Sequence, residues 1–180
     1  MVLKRIKVEV LENQPTNCYI IEDENTKETM VIDPGGDFEK IDEMIITLQA
    51  KVKYIYLTHC HGDHTAVVNQ LKQKTGATIL IHRDDAEGLI DDRISLITYI
   101  GMQEYNIDDF SRVDDGDIIH IGAWLMICNL NIRIKIKRQR CRFFCVCQSF
   151  AHFKQVTREV VTGNRVTCNE NGILKAAFVS

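Results

Sequence analysis

The spacing of apolar residues changes repeatedly along the first two thirds of the chain, between every second residue and every third or fourth. Near the N-terminus, Ile6 and Val8 alternate with charged residues, which predicts a half-buried strand over 4–11. From Phe38 to Leu48 the apolar residues recur at three and four positions, which predicts a helix with one apolar face. A chain that alternates these two periods is typical of a layered α/β fold.

Turn residues divide the rest of this region into short elements. Asp33-Pro34-Gly35-Gly36 ends a predicted β-hairpin, and Asp114-Asp115-Gly116-Asp117 precedes another strand. Further strands are predicted at 18–21, 29–32, 54–57, 78–81 and 118–121. Further helices are predicted at 66–74, with Gly76 as the end cap, and from Asp84-Asp85 onward, since acidic residues suit a helix start.

The composition of the chain changes near Gly122. Residues 1–124 carry 12 Lys and Arg against 23 Asp and Glu, a net charge of −11, whereas residues 125–180 carry 10 against 2, a net charge of +8. Five of the seven cysteines lie in the second part, and no Gly or Pro occurs from 123 to 162. Because Gly and Pro normally separate elements, we predict two regions. These are an α/β region over 1–122 and an atypical basic, Cys-rich tail over 123–180. Within the tail we expect 123–130 to continue as a strand and much of 131–180 to be poorly ordered or to dock irregularly.

The hydropathy of the chain argues against a membrane-spanning helix and against a signal peptide. The longest mainly apolar stretch, 118–130, is shorter than the ~20 residues that cross a bilayer. The N-terminal residues alternate charged and apolar side chains too quickly for a signal peptide. We therefore expect a cytoplasmic protein without a membrane partner, in which cysteines are reduced thiols or metal ligands.

A concentrated group of metal-ligand side chains follows the predicted strand at 54–57. The segment is Thr58-His59-Cys60-His61-Gly62-Asp63-His64. Alternate residues of an extended loop point the same way, so His59 and His61 can reach one ion. Asp63 and His64 follow the turn of the chain into the next helix and can reach a second ion. Imidazole and carboxylate together suit zinc, with iron and manganese as alternatives. A loop whose histidines only cap a helix is the structural alternative, but no structural need explains this spacing.

These residues, with others around them, give the chain a family resemblance. It resembles the metallo-beta-lactamase fold hydrolases, particularly small bacterial proteins similar to hydroxyacylglutathione hydrolase (glyoxalase II), over about residues 4–122. The further landmarks, in the same order, are Thr16-Asn17-Cys18-Tyr19-Ile20, Val31-Ile32-Asp33-Pro34-Gly35, Ile81-His82 and Asp115-Gly116-Asp117. The resemblance implies one half of an αββα sandwich. It also implies that His59 and His61 bind one metal, that Asp63 and His64 bind a second, and that Asp33 orients these ligands from behind.

The resemblance also implies hydrolysis of a small ester or thioester. In such a site two zinc ions lower the pKa of a bound water and hold the resulting hydroxide. Asp63 is then the catalytic residue that positions this nucleophile as well as a ligand. The substrates of the family include thioesters, beta-lactams and phosphodiesters, so the fold alone does not select the substrate.

The second part of the chain departs from the family pattern, so we expect the second half of the αββα sandwich to be incomplete or aberrant. No Gly-His-Thr-Pro-Gly-like loop, Gly-Asp pair or late His in a matching context follows Gly122, and no Asp follows Asp117. We therefore expect two protein ligands per ion where a catalytic zinc normally has three, and low or absent turnover. The alternative hypothesis is a catalytically dead remnant, or a frame-altered product, whose basic tail binds nucleic acid or nothing.

The remaining candidate residues carry weaker signals. His82 is expected to end a strand, His120 to be a satisfied structural histidine, and Cys60 to be a small passive side chain. Cys141, Cys145 and Cys147 match no common zinc-finger spacing. The basic run at 133–142 is expected to be a solvated surface rather than a nucleic-acid interface.

Overall fold

The computed structural model describes residues 1–101 and 106–128 and the backbone of two later strands. The strands are β1 (Val2–Val8), β2 (Thr16–Glu22), β3 (Glu28–Ile32), β4 (Lys51–Leu57), β5 (Thr78–His82), β6 (Ser111–Val113), β7 (Ile118–Ile121), β8 (Trp124–Ile127), β9 (Asn164–Cys168) and β10 (Leu174–Phe178). The helices are α1 (Phe38–Leu48), α2 (Gly62–Thr65), α3 (Val68–Thr75) and α4 (Asp92–Ser95), with a 3-10 helix at Ala86–Leu89.

Six strands form one mixed sheet in the order β1-β2-β3-β4-β5-β6. The first three strands are antiparallel, and β3 to β6 are parallel. In the parallel part Ile32 lies beside Tyr56, and Leu57 lies beside Ile81. The carboxyl ends of these strands therefore meet at one edge of the sheet, which is where α/β proteins commonly place their sites.

The two main helices agree closely with the apolar spacing. Helix α1 covers 38–48 as predicted and buries Ile41 and Ile45. Helix α3 begins two residues later than predicted and ends at Thr75. Gly76 caps it as predicted, with a left-handed φ of 70° and an N–H that donates to the Lys72 carbonyl. Both helices contribute to the core on the same face of the sheet, because their buried side chains join one apolar cluster.

The other face of the sheet carries a second apolar cluster, which includes Met30, Ile32 and Leu80. Ile119 and Ile121 from the two-stranded β7–β8 sheet pack into it. The protein thus has a helical layer, a mixed sheet and the beginning of a second sheet, which confirms the α/β prediction. The incomplete or aberrant second half of the sandwich, predicted for 123–180, lies largely outside the described residues.

Two predicted elements differ from the observed ones. The first strand begins and ends earlier than 4–11, because β1 pairs with β2 over residues 2–8. The helix expected from Asp84-Asp85 is replaced by the 3-10 helix and the single turn of α4. Asp91 accepts a hydrogen bond from the backbone N–H of Arg93. Acidic side chains in this segment therefore cap a new turn rather than continue a helix.

The β7–β8 hairpin crosses Gly122, where the composition changes. The turn at 114–117 and the strand at 118–121 are found as predicted, and the expected continuation over 123–130 is a strand at 124–127. The Gly122 N–H donates to Glu28 Oε2 at 2.8 Å, and the Ala123 N–H donates to Asp23 Oδ2 at 3.1 Å. Two carboxylates from the far end of the chain thus hold the turn of this hairpin.

Most of the predicted irregular tail lies outside the described residues, including 131–163 and 169–173. Its two described segments, β9 and β10, pair as an antiparallel hairpin. In the described parts of the chain, no helix is long and apolar enough to cross a membrane.

Replacing Gly122 by alanine should destabilise the protein more than replacing Gly76 by alanine. Both glycines have positive φ, 56° and 70°, where any other residue costs about 1–2 kcal/mol. A Cβ atom at Gly122 would also lie 2.4 Å from Asp23 Cγ, whereas nothing lies within 4 Å of one at Gly76. We expect a loss of about 3 kcal/mol for Gly122→Ala, measured by denaturant unfolding. Equal losses in the two variants would contradict the close approach of this turn to Asp23.

Candidate metal centre

The predicted ligands follow β4 at the carboxyl edge of the parallel strands, with His59 and His61 on the loop before α2 and Asp63 and His64 in α2 itself. His59 is half-buried, His61 is exposed, and the side chain of Asp63 is 37% exposed. His64 is buried. The loop turns into α2 at Gly62, where a Cβ atom would lie 2.7 Å from Ile97 Cδ1. Any larger residue there would displace the ends of the Ile97 and Ile100 side chains, which pack against the loop.

The structure brings the four predicted ligands together. The ring centroids of His59 and His61 are 4.7 Å apart, and those of His59 and His64 are 4.2 Å apart. His64 Nε2 lies 3.6 Å from Asp63 Oδ2. Three imidazoles and a carboxylate therefore form a cluster whose exposed side is provided by His61 and Asp63.

Asp33 lies beside this cluster, in contact with Thr58 and His64. Its carboxylate is buried and accepts hydrogen bonds from the Thr58 N–H at 2.8 Å and the Thr58 hydroxyl at 2.6 Å. His64 Nδ1 lies 3.0 Å from the same carboxylate. A carboxylate bonded to the far nitrogen of a histidine is the usual support of a metal-binding ring.

Two further residues hold the backbone of Asp63. The Thr16 hydroxyl donates to the Asp63 carbonyl at 3.0 Å. A Cβ atom at Gly35 would lie 1.7 Å from the same carbonyl oxygen, so the loop after β3 approaches Asp63 as closely as glycine allows. Thr16, Gly35 and Thr58 stand in the sequence landmarks of the resemblance, but the sequence alone assigned none of them a role.

The electrostatic environment shifts the pKa values of His59 and His64 in opposite directions. Burial, with the nearby His64 ring, lowers the pKa of His59 to about 4, so His59 is neutral at neutral pH. Burial alone would also lower the pKa of His64, but the hydrogen bond and charge of Asp33 outweigh it and raise this pKa above its ordinary value. A metal ion at His64 must displace its proton, so binding there strengthens as the pH rises.

The donor set fits a metal ion in part. Two zinc ligands at ~2.0–2.2 Å in tetrahedral geometry lie about 3.4 Å apart, close to the 3.6 Å between His64 Nε2 and Asp63 Oδ2. Within residues 1–101 and 106–128, however, no group of three or more His, Cys, Asp or Glu side chains is arranged to hold an ion. The described residues therefore supply one pair of donor atoms at the spacing of two metal ligands, in His64 and Asp63.

The other predicted candidates lie away from these contacts. His82 ends β5, and its Nδ1 accepts the Asp84 N–H. Its buried Nε2 lies 3.8 Å from Asp115 Oδ1 and has no hydrogen-bond partner among the described residues. His120 is exposed on β7 rather than being a buried structural histidine, because Ile119 and Ile121 take the inward positions. Cys60 is buried against Gly88, consistent with a passive side chain. His152 and the cysteines at 141, 145 and 147 lie outside the described residues.

Comparison with known proteins identifies the family of this arrangement. The sequence profile of the metallo-beta-lactamase superfamily matches residues 11–125, more than half of the chain. The chain belongs to the metallo-beta-lactamase superfamily. It is similar in fold to the crystal structure of BLEG-1, a B3 metallo-beta-lactamase, with a TM-score of 0.59 and 23% identity, covering 69% of this chain and 59% of that one.

Two curated proteins are similar to this chain in sequence. The probable polyketide biosynthesis zinc-dependent hydrolase PksB of Bacillus subtilis is 33% identical over 113 residues, 63% of this chain and 44% of that protein. Hydroxyacylglutathione hydrolase GloC of Haemophilus influenzae is 41% identical over 63 residues, 35% of this chain and 29% of that protein. The chain thus spans less than half the length of these two relatives.

Replacing Asp33 by asparagine should lower the pKa of His64 in the metal-free protein. Asp33 stabilises the protonated ring, so its removal leaves burial, which acts in the opposite direction. An NMR titration of the His64 ring measures the change. Asp63→Asn is the matched control and should lower this pKa less, because Asp63 contributes less to the shift. An unchanged His64 titration in Asp33→Asn would contradict the ion pair.

Proposed function

We propose that this protein is a metal-dependent hydrolase of a small ester or thioester, with His59, His61, Asp63 and His64 as its metal ligands. The observation that supports this most is the cluster of three imidazoles and one carboxylate at the carboxyl edge of the sheet. The buried carboxylate of Asp33 holds the His64 ring in one orientation. This favours a metal role over simple helix capping, because capping does not require an oriented ring.

Each ligand has a distinct task in this proposal. His59 and His61 hold one ion, and Asp63 and His64 hold the second. When bound, the ions acidify a water molecule and polarise the carbonyl of the substrate. Asp63 is the proposed catalytic residue, because its partly exposed carboxylate can also accept a hydrogen bond from the attacking water. Zinc is the proposed metal, with iron and manganese as alternatives, since nitrogen and oxygen donors suit all three.

The substrate class is inferred from the relatives. One is a zinc-dependent hydrolase and another a hydrolase of hydroxyacylglutathione. A thiol ester of a small acid is the substrate class that we infer for this chain. Because the chain spans only part of each relative, this remains a proposal for the protein as a whole.

We further propose that turnover is weak. Two protein ligands per ion leave each ion less firmly held than the three of an ordinary catalytic zinc. The chain after Gly122 lacks a sequence pattern that would supply the others. The second candidate function, a catalytically dead remnant or frame-altered product whose basic tail binds nucleic acid or nothing, rests on the net charge of +8 in that region.

Zinc-dependent hydrolysis of a lactoyl-glutathione analogue should be low and should fall at least about 100-fold in Asp63→Ala. Metal content after purification without added zinc should fall in both Asp63→Ala and His59→Ala, since each removes a donor. His120→Ala is the matched control, because it removes an exposed histidine that lies outside the cluster. It should leave both metal content and turnover unchanged.

Other outcomes separate the two candidate functions. Equal metal content in all four proteins would contradict the proposed ligands. Salt-sensitive nucleic-acid binding without zinc-dependent turnover would favour the remnant. Robust turnover that depends on Asp63 would support the hydrolase and contradict the proposal of weak activity.

We propose that the α/β region over 1–122 and the tail over 123–180 are separate structural units, joined through the β7–β8 hairpin. Trypsin should then cut first between Arg133 and Arg158, where Lys and Arg are dense, and leave a large N-terminal fragment. Mass spectrometry of the early fragments checks this. First cleavage within 1–122 would indicate that the tail is an integrated half of the fold.

A further inference from the structure

We propose that Thr58 is a positioning residue for the metal centre, because its hydroxyl keeps the ring proton of His59 on Nδ1 and leaves the lone pair on Nε2. The zinc-binding consequence rests on the proposed function above. The position of the proton does not, since it follows from hydrogen bonds within the chain.

The register of two parallel strands brings the three participating residues together. Asp33 directly follows β3 and Thr58 directly follows β4, and these strands pair with Ile32 beside Tyr56. The Asp33 N–H donates to the Tyr56 carbonyl at 3.1 Å and continues this pairing past the end of β3. The Asp33 carboxylate therefore meets the start of the His-rich loop.

The proton of the Thr58 hydroxyl can serve only one of its two neighbours. Thr58 Oγ1 lies 2.6 Å from Asp33 Oδ2 and 3.0 Å from His59 Nδ1. A carboxylate can only accept, so the hydroxyl proton goes to Asp33. Thr58 Oγ1 then has only lone pairs left for the ring, and His59 Nδ1 must be the donor.

The consequence for the ring is a defined tautomer. A neutral imidazole that carries its proton on Nδ1 has its free lone pair on Nε2, and a metal ion needs such a lone pair. Asp33 bonds directly to Nδ1 of His64 at 3.0 Å. One buried carboxylate thus orients two rings, His64 directly and His59 through Thr58.

Three substitutions separate this role from general packing. Thr58→Val keeps the shape of the side chain and the backbone N–H bond to Asp33, and removes only the hydroxyl. Thr58→Ser keeps the hydroxyl and should restore the original behaviour. Thr75→Val is the matched control, because Thr75 is also half-buried and its hydroxyl bonds to the backbone of Leu71 and Ala77, away from the His-rich loop.

The first measurement is NMR of the ring nitrogens of His59 in the metal-free protein at neutral pH. The original chain, Thr58→Ser and Thr75→Val should carry the proton on Nδ1, and Thr58→Val should lose this preference. The second measurement is zinc affinity by competition with a chelator. Thr58→Val should bind zinc about 10–100-fold more weakly, and the other two variants should match the original chain.

Several results would overturn the proposal. They are a His59 proton on Nε2 in the original chain, an unchanged tautomer in Thr58→Val, or zinc binding weakened equally by Thr75→Val. If no variant binds zinc but Thr58→Val alone changes the tautomer, the control of the His59 tautomer by Thr58 is supported and the proposed function fails. The two proposals are therefore tested separately.

Discussion

The buried carboxylate of Asp33 is the interaction on which the site depends. Its side chain is almost inaccessible, yet it accepts two hydrogen bonds from Thr58 and one from His64. Hydrogen bonds to a charged group each contribute about 1.5–3 kcal/mol, and a buried carboxylate without partners would be far more costly. The conformation of the His-rich loop and the burial of Asp33 therefore require each other.

The backbone around Asp33 shows the same dependence. Asp33 has a φ of 51°, a left-handed conformation that non-glycine residues adopt at a cost. The following Pro34 accepts a bond from the Val67 N–H through its carbonyl, and Gly35 then lies against the Asp63 carbonyl. The loop after β3 and the loop after β4 are consequently one packed unit, in which neither can shift without disturbing the other.

The sequence predicted individual helices and strands better than the contacts between them. The apolar spacing predicted both ends of α1, and the ligand spacing placed four donors in one short segment, because both signals are local. The role of Thr58 depends on the pairing of β3 with β4, which brings Thr58 to Asp33, 25 residues away in the chain. No local pattern specifies this pairing. The outward position of His120 could have been predicted, because it alternates along the strand with Ile119 and Ile121, which are buried. The helix expected at 84 was wrong because acidic residues begin several kinds of turn.

The hairpin at Gly122 has a consequence for the order of folding. Its two backbone donors bond to Glu28 and Asp23, which precede them by 94 and 100 residues. Such contacts between distant residues raise the contact order of a domain, and closing the long loop between them costs conformational entropy. During synthesis, Asp23 and Glu28 leave the ribosome long before Gly122 and Ala123 do. The β2–β3 hairpin therefore lacks these two backbone partners until residue 123 has been made.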